Sequence, residues 1–343
     1  MGCGCKTPEW ITGSRFTKAG LIPVVSTKLT RKDKLGEIMV RLGIKRMNYP
    51  AAPGIYAVGA PDENSDVFVT ANYKLTFDLL RKELDGLSAW ILVLDTHGIN
   101  VWCAAGKGTF GTDELISRID KVKLKEIVSH KRLILPQLGA VGVSAHTVTR
   151  ETGFKVLYGP VRASDIPAYI ANNYRKTPEM REVTFGFTER LELTPLEIVV
   201  SLKYCLIAVV LIIVANLLRY QRFDLSVFNG VLPFTGAILT GAFVVPLLLP
   251  FIPFRAFSVK GFALGIVGTL ALIFLSRAAL ADSIIYLLFL PAISSFFAMN
   301  FTGSSTFTSM AGVKLEVRIA TPLIIISIAG GVVMELLKTL RVL

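Results

Sequence analysis

The chain has 343 residues, is 52% hydrophobic and carries a formal net charge of +12, with 37 Lys and Arg against 25 Asp and Glu. Only ten of those basic residues and five of the acidic ones lie beyond residue 195, so a normally charged N-terminal part precedes a charge-poor C-terminal part. This excludes a single water-soluble domain, and because the basic excess is scattered without interleaved aromatics it speaks against nucleic-acid binding and for an anionic membrane surface or partner.

The N-terminus is polar and lacks the apolar stretch of a secretory signal. The expectation is a soluble part in the cytoplasm, where thiols stay reduced. Cys3 and Cys5 form a Cys-Gly-Cys there. It reads equally as an unstructured tail or as a capture site for a soft metal ion, which paired thiolates suit.

Residues 55–59 and 66–70 read as strands, and 73–85 as a helix with Leu75, Leu79, Leu80 and Leu84 on one face. The apolar run 90–94 reads as a buried strand running into a loop at Asp95. Thr112 reads as the N-cap of the next helix, with Asp113 and Glu114 in its first turn. Further strands are expected at 133–135 and 154–158, and helices at 144–151 and 164–174. Alternating strand and helix predicts a mostly parallel, Rossmann-like α/β sheet with its ligand beyond the carboxyl ends of the strands.

Four loops are placed to reach such a ligand: 70–76, 95–112, 135–142 and 158–162. They offer glycines, hydroxyls and amides with few charges. That mixture suits a large, amide-fringed cofactor better than a nucleoside triphosphate.

The expected division is a soluble α/β domain at 1–175, a linker at 176–195 and a membrane domain at 196–343. Five apolar stretches, at 196–218, 229–251, 257–276, 279–299 and 319–337, each match the ~20 residues that cross a hydrocarbon core. Cys205 lies in the first and reads as a packing residue. Loop charges give no clear vote on orientation, with Arg255, Lys260, Lys314 and Arg318 on one side and Arg219, Arg222, Arg277, Lys338 and Arg341 on the other. Anchoring and helix packing are favoured over a transport path, since intramembrane charges are few. The Ser/Thr/Gly-rich segment 300–312 reads as a re-entrant or interfacial connection.

The most informative stretch is Asn100, Val101, Trp102, Cys103, Ala104, Ala105, Gly106 and Lys107. It sets a lone cysteine between a bulky aromatic and two alanines, so the thiol can meet something large and flat. Gly106-Lys107-Gly108-Thr109 fails as a phosphate loop: Gly108 stands where Ser or Thr is needed, and Val101 where the first glycine is needed. Asp95-Thr96-His97 begins the D-x-H-x-x-G pattern of cobalt-ligating histidines but has Asn100 at its last position. His130 and His146 lack partners at metal-ligand spacing. No four-cysteine set exists, so no iron–sulfur cluster is expected in this chain.

With that octapeptide and a multi-span C-terminal part, nearly the whole chain resembles the HgcA family of mercury-methylating corrinoid proteins. The soluble half also resembles the corrinoid-binding domain of the large subunit of the corrinoid iron–sulfur protein, through residues 70–76, 135–142 and 153–165. The resemblance implies a corrinoid-binding α/β domain followed by five transmembrane helices. It implies a corrinoid-dependent methyltransferase that moves a methyl group from methyl–cobalt(III) to Hg(II). Cys103 would be the catalytic residue and the lower cobalt ligand, its thiolate enriching the metal in electron density. Asn100, Val101, Trp102, Ala104, Ala105, Gly106 and Lys107 would shape that approach. Thr70, Asn72, Thr76, Gly139 and Ala140 would contact the macrocycle or its amides. Cys3 and Cys5 become candidates for Hg(II) capture. The implied partners are an HgcB-like ferredoxin with two 4Fe–4S clusters as reductant, a methyl-tetrahydrofolate methyltransferase as methyl source, and the lipid bilayer. A membrane-anchored methyl carrier of one-carbon metabolism, or a transporter or sensor without corrinoid, stand as alternatives.

Overall fold

The computed structural model describes residues 8–44, 50–220, 227–308 and 310–340. Cys3 and Cys5 lie outside the described residues, as does Arg222. The chain forms two compact units, Met1–Val40 with Ile44–Val183, and Arg41–Gly43 with Thr184–Leu343.

The first unit runs β1 (Ile11–Thr17), β2 (Gly20–Val25), α1 (Arg31–Arg41), β3 (Gly54–Val58), β4 (Val67–Ala71), α2 (Lys74–Glu83), β5 (Ala89–Leu94), α3 (Val101–Lys107), α4 (Thr112–Lys121), α5 (Leu124–Ile127), β6 (Arg132–Leu135), α6 (Ala145–Thr152), β7 (Lys155–Tyr158) and α7 (Ile166–Ala171). Its seven strands form one sheet in the order β1-β2-β3-β5-β4-β6-β7. β4 to β7 are mutually parallel, with Thr70 level with Val93 and Phe68 level with Ile134. β2 and β3 are parallel to each other, and β3 runs antiparallel to β5. The sheet is therefore mixed, with a parallel half as the alternation of elements predicts.

β4 and β5 are buried along their whole length, and their near-continuous apolar runs follow from cover on both faces. Side chains alternate between two cores. Val69, Leu92, Leu94 and Leu135 pack with Val101, Ala104 and Ala105 of α3. Phe68, Ile91, Val93 and Ile134 pack with Phe77 and Leu80 of α2.

Residues 8–44 contribute a hairpin and a helix that the sequence pattern does not announce. β1 is a mostly exposed edge strand without apolar alternation. α1 turns an acid inward. Thr30 and Asp33 form a reciprocal capping box, Thr30 N–H donating to Asp33 Oδ2 at 2.9 Å and Asp33 N–H to Thr30 Oγ1 at 3.1 Å. Lys74 Nζ then donates to Asp33 Oδ1 at 3.0 Å and Asp78 Oδ1 at 2.5 Å. Arg81 donates to Asp33 Oδ2 at 2.8 Å and Asp78 Oδ1 at 2.7 Å. All four side chains are buried, so two acids and two bases tie α1 directly to α2.

Thr112 is the first residue of α4 rather than its N-cap, which is Gly111. The Thr112 hydroxyl is engaged elsewhere, accepting from Ser144 N–H at 2.9 Å. The helix expected at 164–174 is shorter, Ile166–Ala171 after a 3-10 turn at Ala163–Asp165.

The second unit runs α8 (Phe187–Tyr220), α9 (Val227–Leu239), α10 (Val245–Leu248), α11 (Phe257–Ser276), α12 (Leu280–Asn300) and α13 (Met310–Thr339). Among the described residues five helices are long and apolar enough to cross a membrane. α8 starts at Phe187, inside the stretch read as linker. α9 and α10 make one span through a π-helical turn at Thr240–Val244. Pro246 has no N–H for the carbonyl four residues back, and the wider turn absorbs that lost bond. Part of 300–312 is helical rather than a loop: a 3-10 turn spans Phe301–Ser304, and α13 begins at Met310. Lys260, grouped with loop charges by the sequence, is buried in α11, donating to the Leu249 and Ile252 carbonyls at 2.5 and 2.8 Å.

Candidate functional site

Four parallel strands end at Ala71, Leu94, Leu135 and Tyr158 on one edge of the sheet. The segments that follow them gather there. The segment after β5 is organised from inside by Asn72. Its Oδ1 accepts from Thr96 N–H at 3.0 Å and Gly98 N–H at 2.9 Å, and its Nδ2 donates to Asp95 Oδ1 at 3.2 Å. Thr96 Oγ1 donates to the Ile99 carbonyl at 2.6 Å. From the other side, Glu114 Oε1 accepts from Asp95 N–H at 2.8 Å. His97 takes a left-handed φ of 57° and is exposed, 3.7 Å from Asp95 Oδ1.

This fixed turn delivers the chain into α3. Asn100 is its N-cap, the side chain accepting from Cys103 N–H at 2.9 Å. Gly108, at φ 82°, ends it. The segment 95–112, read as one ligand loop, thus contains a two-turn helix. Cys103 is a capped helical residue.

The helix splits the octapeptide into two faces. Val101, Ala104 and Ala105 are buried in the core. Trp102, Cys103, Gly106 and Lys107 are exposed together, Trp102 by 41%. Positions three and four apart are neighbours on a helix, so beside Cys103 on this face stand Gly106, which has no side chain, and Lys107. A β-carbon added at Gly106 would meet nothing within 4 Å.

α3 rests on the 3-10 turn Gln137–Val141 that follows β6. A β-carbon at Gly142 would stand 2.2 Å from the Phe110 carbonyl oxygen, and one at Gly139 2.6 Å from the Phe110 ring. Only glycine permits this approach, which locks the turn against the end of α3. Val141 projects from the turn, 83% exposed.

The other residues named from the sequence are dispersed by role. Thr70 is buried within β4, and Asn72 is the buried hub just described. Thr76 is half-buried on α2, Gly139 is buried and Ala140 half-buried. The side chains displayed at the carboxyl edge are thus Trp102, Cys103, Lys107, His97 and Val141. Sequence reasoning missed Phe110 and Glu114, which hold the site from behind. Their only local signal was their place beside the glycines and Thr112.

Among the described residues no three His, Cys, Asp or Glu side chains gather as a metal site. The free thiols there are Cys103, exposed, and Cys205, half-buried in α8. A metal at this edge would therefore take one sulfur from the protein and its other ligands from elsewhere. That donor set fits a metal already held in a macrocycle.

Residues 45–170 match the family described as CO dehydrogenase/acetyl-CoA synthase delta subunit. Within the curated proteins, the acetyl-CoA decarbonylase/synthase complex subunit gamma of Archaeoglobus fulgidus is 33% identical over 124 residues, 36% of this chain and 26% of that protein. The corrinoid/iron-sulfur protein large subunit of Moorella thermoacetica is 35% identical over 118 residues, 34% of this chain and 26% of that protein. The subunit gamma of Methanocaldococcus jannaschii is 32% identical over 126 residues, 36% of this chain and 25% of that protein. The chain spans about a quarter of the length of these relatives. The matched family region takes in β3 to α7, and so contains α3 and the parallel edge.

Proposed function

We propose that the first unit binds a corrinoid at the carboxyl edge of its parallel strands and that the chain is a membrane-bound methyltransferase acting on Hg(II). One observation carries the reading: Cys103 stands exposed on a capped helix, with no side chain at Gly106, within residues 45–170 that match the CO dehydrogenase/acetyl-CoA synthase delta subunit family, in a chain also similar to a corrinoid/iron-sulfur protein large subunit. When bound, the corrinoid would supply a methyl group able to leave with both electrons of its bond to cobalt, the form that a soft electrophile accepts. The Cys103 thiolate would be the protein's ligand to the metal. Asn100 holds the Cys103 backbone. Thr76, Ala140 and the 3-10 turn under Gly142 would border the macrocycle.

Reduction of cobalt and supply of the methyl group fall to partners, an HgcB-like ferredoxin and a methyl-tetrahydrofolate methyltransferase. The soluble unit would lie on the cytoplasmic side of the inner membrane. Cys3 and Cys5 would pass Hg(II) to the site.

A second reading, a methyl carrier of one-carbon metabolism, is favoured by the names of the matched relatives. Membranes containing the Cys103→Ala protein should form no methylmercury while the protein still reaches the membrane. Unchanged methylation would overturn the mechanism. A deletion strain with altered growth on one-carbon substrates, without mercury, would favour the second reading. Purified protein without a corrinoid absorption band would exclude both.

A further inference from the structure

α1 buries an acid beside an apolar residue and leaves two aliphatics outside. Asp33 and Val40 are 3% and 5% exposed, whereas Leu35 and Ile38 are 58% and 55% exposed. The exposed residues Arg31, Lys34, Leu35 and Ile38 recur at the spacing of a single helix face. Two cations therefore lead that face and two branched aliphatics follow. Among the described residues neither cation is in an ion pair: Lys32 is the lysine that pairs with Glu9, and Glu37 is half-buried and already engaged. The ionic network with Lys74, Asp78 and Arg81 fixes the rotation of the helix, so the aliphatic pair cannot turn inward.

We propose that this face of α1 docks the soluble unit on an anionic lipid surface, Arg31 and Lys34 on headgroup phosphates and Leu35 and Ile38 among the first acyl carbons. Basic side chains beside exposed aliphatics are the composition of interfacial helices. Long basic side chains also reach headgroups while their stems cover apolar surface. The same chain carries five helices able to cross a membrane. The first unit ends at Val183 and α8 starts at Phe187, and this short connection keeps the unit at high effective concentration over the bilayer. A soluble acidic protein is the rival occupant.

The test uses the full-length protein in nanodiscs. Ile38→Trp reports contact through quenching by lipids with brominated acyl chains, and Lys125→Trp, an exposed site on α5, is the control. In discs with about a third phosphatidylglycerol, quenching at position 38 should exceed the control several-fold. The added pair Arg31→Glu and Lys34→Glu should bring it down to the control level. Both positions are exposed, so these changes leave the fold intact. Quenching equal to the control, or equal in purely zwitterionic discs, would overturn the proposal. Shielding of position 38 that appears only when cytosolic protein is added would overturn it in favour of the rival.

Discussion

At the residue scale, the site depends on buried side chains that brace its backbone from inside. Asn72 supplies the acceptor for two backbone donors of the turn before α3. Asn72→Ala leaves those N–H groups buried and unmatched, and should cost about 2–4 kcal/mol of stability in denaturant unfolding. Asn100→Ala removes only a helix cap, about 1 kcal/mol, yet it frees the backbone of Cys103. It should therefore weaken corrinoid binding, measured by absorption titration, more than it weakens the fold. Gly142→Ala drives a β-carbon to 2.2 Å from the Phe110 carbonyl, and backbone cannot yield as a side-chain tip can. A loss of about 1–3 kcal/mol is expected, with α3 displaced. The role of Asn72 is not legible in the sequence, because its partners lie 23–26 residues away and only the sheet brings them level.

At the element scale, the parallel half of the sheet is legible because burial on both faces demands long apolar runs, as in β5. The hairpin and α1 are not, because an edge strand and a helix with its acid inside break the expected pattern. The buried pairs of α1 and α2 hold these elements together at a cost in desolvation. Lys74→Met leaves two acids around one guanidinium and should cost about 3–5 kcal/mol. The network also sets an acid limit. Burial alone would raise the Asp33 carboxyl, but the Thr30 N–H, Lys74 and Arg81 overrule it and lower it from 3.8 to about 2. A depressed folded-state pKa gives stability that is present above the unfolded value and lost as pH falls. Between pH 4 and pH 2 the protein should lose more stability than its Asp33→Asn variant, followed by circular dichroism in detergent. Burial shifts Asp78 the other way, raising it against the same two cations.

At the scale of the whole molecule, crossing by all five candidate helices would put the first residue of α8 and the last of α13 on opposite sides of a bilayer. The proposed orientation predicts that a membrane-impermeant maleimide labels Cys103 in inverted vesicles and spares it in intact cells. Labelling in intact cells would reverse the topology. Within the second unit, α11 and α12 touch through backbone: a β-carbon at Gly261 would lie 2.5 Å from the Ser294 carbonyl oxygen. Gly261→Leu should separate the two helices and lower the amount of intact protein in the membrane, since bundles without a hydrophobic driving force rely on such close packing.

By itself the sequence determined the division into a charged and an apolar part, the parallel strands, the span over 257–276 to the residue, and the singular octapeptide with its cysteine. Those are properties of local composition and period, which short-range chemistry imposes on any chain. Only the tertiary structure decided that three of the eight octapeptide residues face the core, and that Asn72 braces the turn before α3. It also decided that α1 shows its leucine and isoleucine to the outside. Each of these depends on which distant residue fills the space opposite, and that partner is chosen by the packing of the sheet.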